Sequence, residues 1–175
     1  MRILVGIAII TLIAVASADG HTQAGTDWAD TMVGHAHPDA LWGRKGNDTI
    51  LGYAGNDRLS GNEHRDTIYA GVGHDFANGG LGDDRIDGGP GGDILHGGYG
   101  DDTIVDSSGQ LDQMYPGAGL NFVDVSGDPR YSNDTVYCAW GDTNDIVRLD
   151  WNDRAVYCNP RGIIYRNANP GGIGI

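Results

Sequence analysis

The sequence predicts an all-β chain of short strands stacked into a solenoid, and three observations predict it. A period of nine runs through the middle of the chain without insertion. Aspartate recurs at the sixth position and an apolar residue at the eighth, while glycine crowds the first, second and fourth positions.

The copies read in order. Gly43 opens GRKGNDTIL, then GYAGNDRLS starts at Gly52, GNEHRDTIY at Gly61, AGVGHDFAN at Ala70, GGLGDDRID at Gly79, GGPGGDILH at Gly88 and GGYGDDTIV at Gly97. Two looser copies, GTDWADTMV from Gly25 and GHAHPDALW from Gly34, keep the first, sixth and eighth positions and lose the fourth glycine. The eighth-position residues are Met32, Leu41, Ile50, Leu59, Ile68, Ala77, Ile86, Leu95 and Ile104. One inward plug per repeat is too little for a repeat to fold alone, so the copies must stack.

This nonapeptide resembles the hemolysin-type calcium-binding repeats, the RTX family, with pattern G-G-x-G-x-D-x-U-x and U apolar. The resemblance implies a parallel β-roll, a right-handed β-solenoid, in which six residues of each repeat form a turn and three form a strand. Two repeats then complete one coil. It also implies several calcium ions held in the turns.

The residue chemistry agrees with that implication. Glycine permits positive φ and lets carbonyl oxygens converge. Calcium takes six to eight oxygen ligands in a forgiving geometry, and aspartates with backbone carbonyls suit it better than zinc or copper. A spacing of eighteen sorts the aspartates into two columns: Asp30, Asp48, Asp66, Asp84 and Asp102 in one, and Asp39, Asp57, Asp75 and Asp93 in the other. Ions are expected between successive members, where bare carboxylates would repel each other. The expected site residues are Asp48, Asp57, Asp66, Asp75, Asp84, Asp93 and Asp102 with Gly55, Gly73, Gly80, Gly82, Gly89, Gly91, Gly98 and Gly100. The pairs Asp57 with Asp75, Asp75 with Asp93, and Asp84 with Asp102 are the best formed. Asp66 is expected to be weaker, because His64 stands where its turn wants glycine, and the turns of Asp30 and Asp39 weaker still.

The ends of the chain read differently. Arg2 precedes an apolar run from Ile3 to Ala16, and Ala16-Ser17-Ala18 carries small residues where a signal peptidase cuts. Residues 1–18 are therefore expected to be a secretory signal, with a retained anchor as the alternative; the repeat roll is expected over 19–106 and a degenerate-repeat or cap region over 107–175. A formal charge of −13 disfavours nucleic acid and anionic membrane surfaces as partners and favours cations. An extracellular or cell-envelope location follows, with an unidentified protein or glycan as a further partner.

After Val105 the segment DSSGQLDQMYPGAG reads as a turn-rich connection. Beyond it, the runs at Asp134–Cys138, Asp145–Leu149 and Arg154–Cys158 read as continued coils without good ion loops. Their aromatics, among them Tyr115, Phe122, Tyr137, Trp140 and Trp151, either cap the open end of the roll or line a ligand groove. Cys138 and Cys158 both follow Val-Tyr, twenty residues apart, which places them in neighbouring rungs about 4.8 Å apart and predicts a disulfide. His35-Ala36-His37 offers two imidazoles, but no third ligand is evident and both read as turn residues. No G-x-S-x-G or H-E-x-x-H motif occurs, so a binding and scaffold module is expected rather than an enzyme. A small secreted hydrolase with a site in the C-terminal region is the alternative.

Overall fold

In the computed structural model the described residues are 20–106, 110–125, 133–139, 145–150, 152–158 and 164–166. The expected signal segment, Trp140 and Trp151 lie outside them. The described residues form sixteen strands in two parallel sheets that face each other across one narrow core. One sheet runs β1 (Thr22–Ala24), β3 (Ala40–Lys45), β5 (Arg58–Glu63), β7 (Phe76–Leu81), β9 (Ile94–Tyr99), β11 (Gln113–Ala118), β13 (Thr135–Tyr137) and β15 (Arg154–Val156). The other runs β2 (Thr31–Val33), β4 (Thr49–Leu51), β6 (Thr67–Tyr69), β8 (Arg85–Asp87), β10 (Thr103–Val105), β12 (Phe122–Asp124), β14 (Ile146–Leu149) and β16 (Ile164–Arg166). Consecutive strands alternate between sheets, so two repeats make one coil and the chain is a β-roll.

The period-nine plugs explain this arrangement. In three-residue strands such as Thr49–Leu51 only the central side chain points inward, and Ile50 is fully buried while its neighbours are half-buried. Met32, Ile50, Ile68, Ile86, Ile104, Val123 and Val147 stack in one column. Leu41, Leu59, Ala77, Leu95, Met114 and Val136 stack in the other. All are within 2% of complete burial. Each buried aliphatic side chain contributes roughly 1.5–3 kcal/mol.

Glycine at positions two and four has a conformational cause. Gly80 and Gly82 have φ of 113° and 135°, in the left-handed region that side chains resist. Four larger residues accept the same conformation: Arg44, Tyr53, Asn62 and His64, with φ between 74° and 82°. His64 therefore does not break its turn, as its sequence suggested; it holds the shared backbone under strain. The left-handed cost of roughly 1–2 kcal/mol exceeds the entropic cost of glycine, roughly 0.5–1 kcal/mol. His64→Gly should stabilise the folded roll by about 0.5–1 kcal/mol, read from chemical denaturation.

The segment after Val105 is more ordered than a connection. It contains β11, paired with β9 through Ile94↔Gln113 and Tyr99↔Ala118. The register there is nineteen rather than eighteen, and Gly117 and Gly119 repeat the positive φ of positions two and four at 92° and 139°. The later coils carry larger insertions, with Gln113↔Thr135 and Phe122↔Ile146 separated by 22 and 24 residues, yet the strands stay in the same two sheets. The insertions fall between strands, where a solenoid accommodates them without disturbing its core.

Cys138 and Cys158 are bonded, with Cα atoms 4.8 Å apart. Their register differs from the one the repeated Val-Tyr suggested. Tyr137 pairs with Val156, so Tyr157 lies one residue beyond equivalence and takes φ of 61°, which brings Cys158 round to Cys138. Closing this loop stabilises the fold by about 3 kcal/mol in the chain-entropy model. Tyr115 is sandwiched between His96 and Tyr137, with ring centroids 4.5 and 4.8 Å away, along the outer side of its sheet.

Candidate metal centre

The sixth-position aspartates stand in the two columns their spacing predicts, and all but the half-buried Asp30 are buried. Each donates its backbone N–H to the Oδ1 of the next residue in its column, an aspartate in every case but that of Asp102. Asp30 bonds Asp48 at 2.8 Å, Asp48 bonds Asp66 at 2.7 Å, Asp66 bonds Asp84 at 2.8 Å and Asp84 bonds Asp102 at 2.8 Å. In the second column Asp39 bonds Asp57 at 2.8 Å, Asp57 bonds Asp75 at 2.7 Å and Asp75 bonds Asp93 at 2.8 Å. This ladder fixes each carboxylate from Asp48 and Asp57 onward with one oxygen committed.

The other oxygen separates the turns into two kinds. In the turns of Asp48, Asp57, Asp66, Asp75, Asp84, Asp93 and Asp102, Oδ2 is buried with no hydrogen-bond partner. In the two looser turns it is satisfied: Asp30 Oδ2 accepts from Thr26 N–H at 2.5 Å, and Asp39 Oδ2 from His35 N–H at 2.7 Å. The backbone explains the division. Thr26 and His35 are second-position residues without positive φ, and their N–H groups close on the carboxylate; the left-handed residue in the later turns presents no such bond.

Asn121 shows what faces that oxygen. It occupies the column place after Asp102, accepting the Asp102 N–H at 2.9 Å, and its Nδ2 donates to the Gly117 carbonyl at 3.4 Å. Gly117 is the second-position residue of that turn. Where asparagine supplies an N–H, aspartate leaves a carboxylate oxygen on the carbonyl's side of the turn, two acceptors that a cation satisfies together. The donor set of carboxylates and peptide carbonyls fits calcium.

Electrostatics point the same way. Burial pushes the carboxyls up, opposed by the backbone N–H each accepts and reinforced by neighbouring charges: Asp57 to about 6, Asp66 to about 7, Asp84 to about 6, Asp93 to about 8 and Asp102 to about 7. Asp48 and Asp75 shift upward for the same first cause. A bound divalent cation removes this penalty by favouring the charged form.

Of the glycines predicted for the site, Gly55, Gly73, Gly80, Gly82, Gly89, Gly98 and Gly100 have positive φ. Gly91 does not, and is required instead because the Gly73 carbonyl oxygen lies where its side chain would begin. Sequence reasoning missed a further cluster. Asp93, Asp106 and Asp112 are all buried, and one carboxylate oxygen from each lies within 4.8 Å of the others. Asp112, Asp134 and Asp153 continue the column of Asp93, with Asp93 N–H on Asp112 Oδ1 at 2.6 Å. The insertions put these residues off the nine-residue period; the signal that remained was an aspartate two places before an apolar plug.

A family model for the RTX calcium-binding nonapeptide repeat matches residues 24–59, 42–77, 60–95, 78–110 and 87–123, a continuous span from 24 to 123. The chain belongs to this RTX repeat family. RTX repeats bind calcium, and the fold here is the parallel β-roll expected of them. Comparison with curated proteins and with solved structures gives no match. Among the described residues no helix is long and apolar enough to cross a membrane.

Proposed function

We propose that this RTX chain is a secreted calcium-binding module with a structural, adhesive or partner-binding role, and that its coils assemble as calcium fills the turns. The observation that carries the reading is the division among the turns. Seven buried Oδ2 atoms lack a partner where the second residue of the turn is left-handed, and the two turns where it is not close on themselves. Asp48, Asp57, Asp66, Asp75, Asp84, Asp93 and Asp102 would hold the ions with turn carbonyls, and Asp106 and Asp112 would join Asp93 at the corner. Calcium there would neutralise charge and cross-link neighbouring coils. It would catalyse nothing.

Calcium gating follows from the composition. One apolar plug per nine residues and many glycines make ordering costly, and the two carboxylate columns repel one another until an ion separates them. Extracellular calcium is high enough for modules with affinities of about 10⁻⁴–10⁻³ M. The exposed Trp28 and Tyr53 rings on the turns, with Tyr99 at the end of β9, would offer a protein or glycan partner its contact surface. Circular dichroism of the calcium-stripped chain should show a disordered spectrum at pH 8 that converts cooperatively to β structure during a calcium titration. A full β signal that persists in excess chelator at that pH would refute the proposal.

A further inference from the structure

We infer a second kind of metal site at the N-terminal end of the roll, formed by His21, His35 and Asp39 and suited to a borderline divalent ion such as zinc rather than to calcium. His21 lies eighteen residues before Asp39 and takes the place of an aspartate in that column. It donates its N–H to Asp39 Oδ1 at 2.8 Å, as each aspartate does to the next. The column therefore changes ligand chemistry at its end, from carboxylate to imidazole.

Three ligand atoms converge there. His21 Nδ1 is 2.9 Å from Asp39 Oδ1 and 3.3 Å from His35 Nδ1. A tetrahedral zinc ion with bonds of about 2.0–2.1 Å spaces its ligands by about 3.3 Å. The Asp39 side chain is completely buried and that of His21 is 12% exposed, so the site is partly shielded from water.

Within this cluster one proton serves only one of the two contacts of His21 Nδ1 at a time. A neutral imidazole carries one N–H, and a proton on His21 Nδ1 can point at Asp39 or at His35, not both. With that proton on Asp39, His35 Nδ1 has no donor; with the proton on His35 instead, an imidazole lone pair faces a carboxylate oxygen. One cation accepts all three. Calcium is the poorer occupant, because Asp39 Oδ2 is already taken by His35 N–H and imidazole favours zinc-like ions. The third ligand that His35-Ala36-His37 lacked in the sequence comes from His21 and Asp39, and His37 takes no part.

Such an ion would fasten the first coil, beyond the reach of the calcium turns, as the disulfide fastens the last. The test uses the whole chain in millimolar calcium, so that the roll is folded, with zinc chloride as probe. Isothermal titration should show one zinc bound, and cobalt substitution should give tetrahedral visible absorption. Loss of an outer partner of a metal ligand already costs about 10–100-fold in affinity, so His35→Ala and His21→Ala should each cost at least that much. Their calcium-dependent dichroism should stay intact, which separates failure of this site from failure of the calcium reading. Zinc binding that is absent from the wild type, or unchanged in both variants, would overturn the inference.

Discussion

Asp75→Ala is expected to remove about two calcium ions from the folded chain and to move the calcium midpoint of folding upward, while Asp39→Ala leaves the ion count unchanged. Asp75 stands between Asp57 and Asp93 and contributes to the turns on either side. Its Oδ1 accepts the buried Asp57 N–H at 2.7 Å, and its Oδ2 has no partner. Alanine takes away both oxygens, and leaving the Asp57 donor unsatisfied costs about 1–3 kcal/mol by itself. Asp75→Asn separates the two roles. Asparagine keeps an oxygen for Asp57 and turns the other atom into a donor, as Asn121 does naturally toward Gly117. That variant should lose ions like Asp75→Ala but lose less stability without calcium. In Asp39 the second oxygen is engaged by His35 N–H, so alanine there should fray the first coil only. Calorimetric ion counts for the three variants, taken without zinc, decide the matter. Equal counts for Asp75→Ala and Asp39→Ala would mean that the division of turns by their Oδ2 atoms does not predict binding.

The roll was legible because its period is short and its two fixed positions are chemically opposite. Asp57 and Leu59, Asp84 and Ile86, or Asp102 and Ile104 mark a turn and a plug in the same copy, and the spacing of eighteen then dictates which carboxylates share a column. Legibility failed where the chain departs from that spacing while the structure does not. One extra residue hides Asp112 and Met114; beyond the longer insertions the coils at Asp134 and Asp145 stayed readable, but not the columns that their aspartates join. Backbone conformation was a second blind spot. His64 is a poor residue for a left-handed turn, but strong coils on either side hold it there, so the Asp66 site keeps its geometry. The third was the end of the column. Nothing in the repeat pattern marks His21 as the residue that replaces aspartate, since its own copy has neither the glycines nor an apolar plug.

Without calcium, acid should fold this chain and alkali should unfold it, the reverse of its behaviour with the ion. Asp57 and Asp84 are raised to about 6, Asp66 and Asp102 to about 7 and Asp93 to about 8, all by burial first. In the unfolded chain these groups return to about 3.9. Between those limits the folded state binds more protons than the unfolded one, so stability falls as pH rises. Stabilisation by protonation is fully present below about pH 4 and is lost progressively as the pH passes through 6 to 8. Protons then do part of what calcium does, by removing the repulsion within each column. With calcium present the same protons compete for the carboxylates, so the calcium midpoint should rise as the pH falls from 8 to 5. Thermal melts of calcium-stripped protein from pH 4 to pH 8, followed by dichroism, should show the melting temperature dropping across that range. A melting temperature that rises toward pH 8 in the absence of calcium would show that the buried columns are not the titrating groups that control the fold.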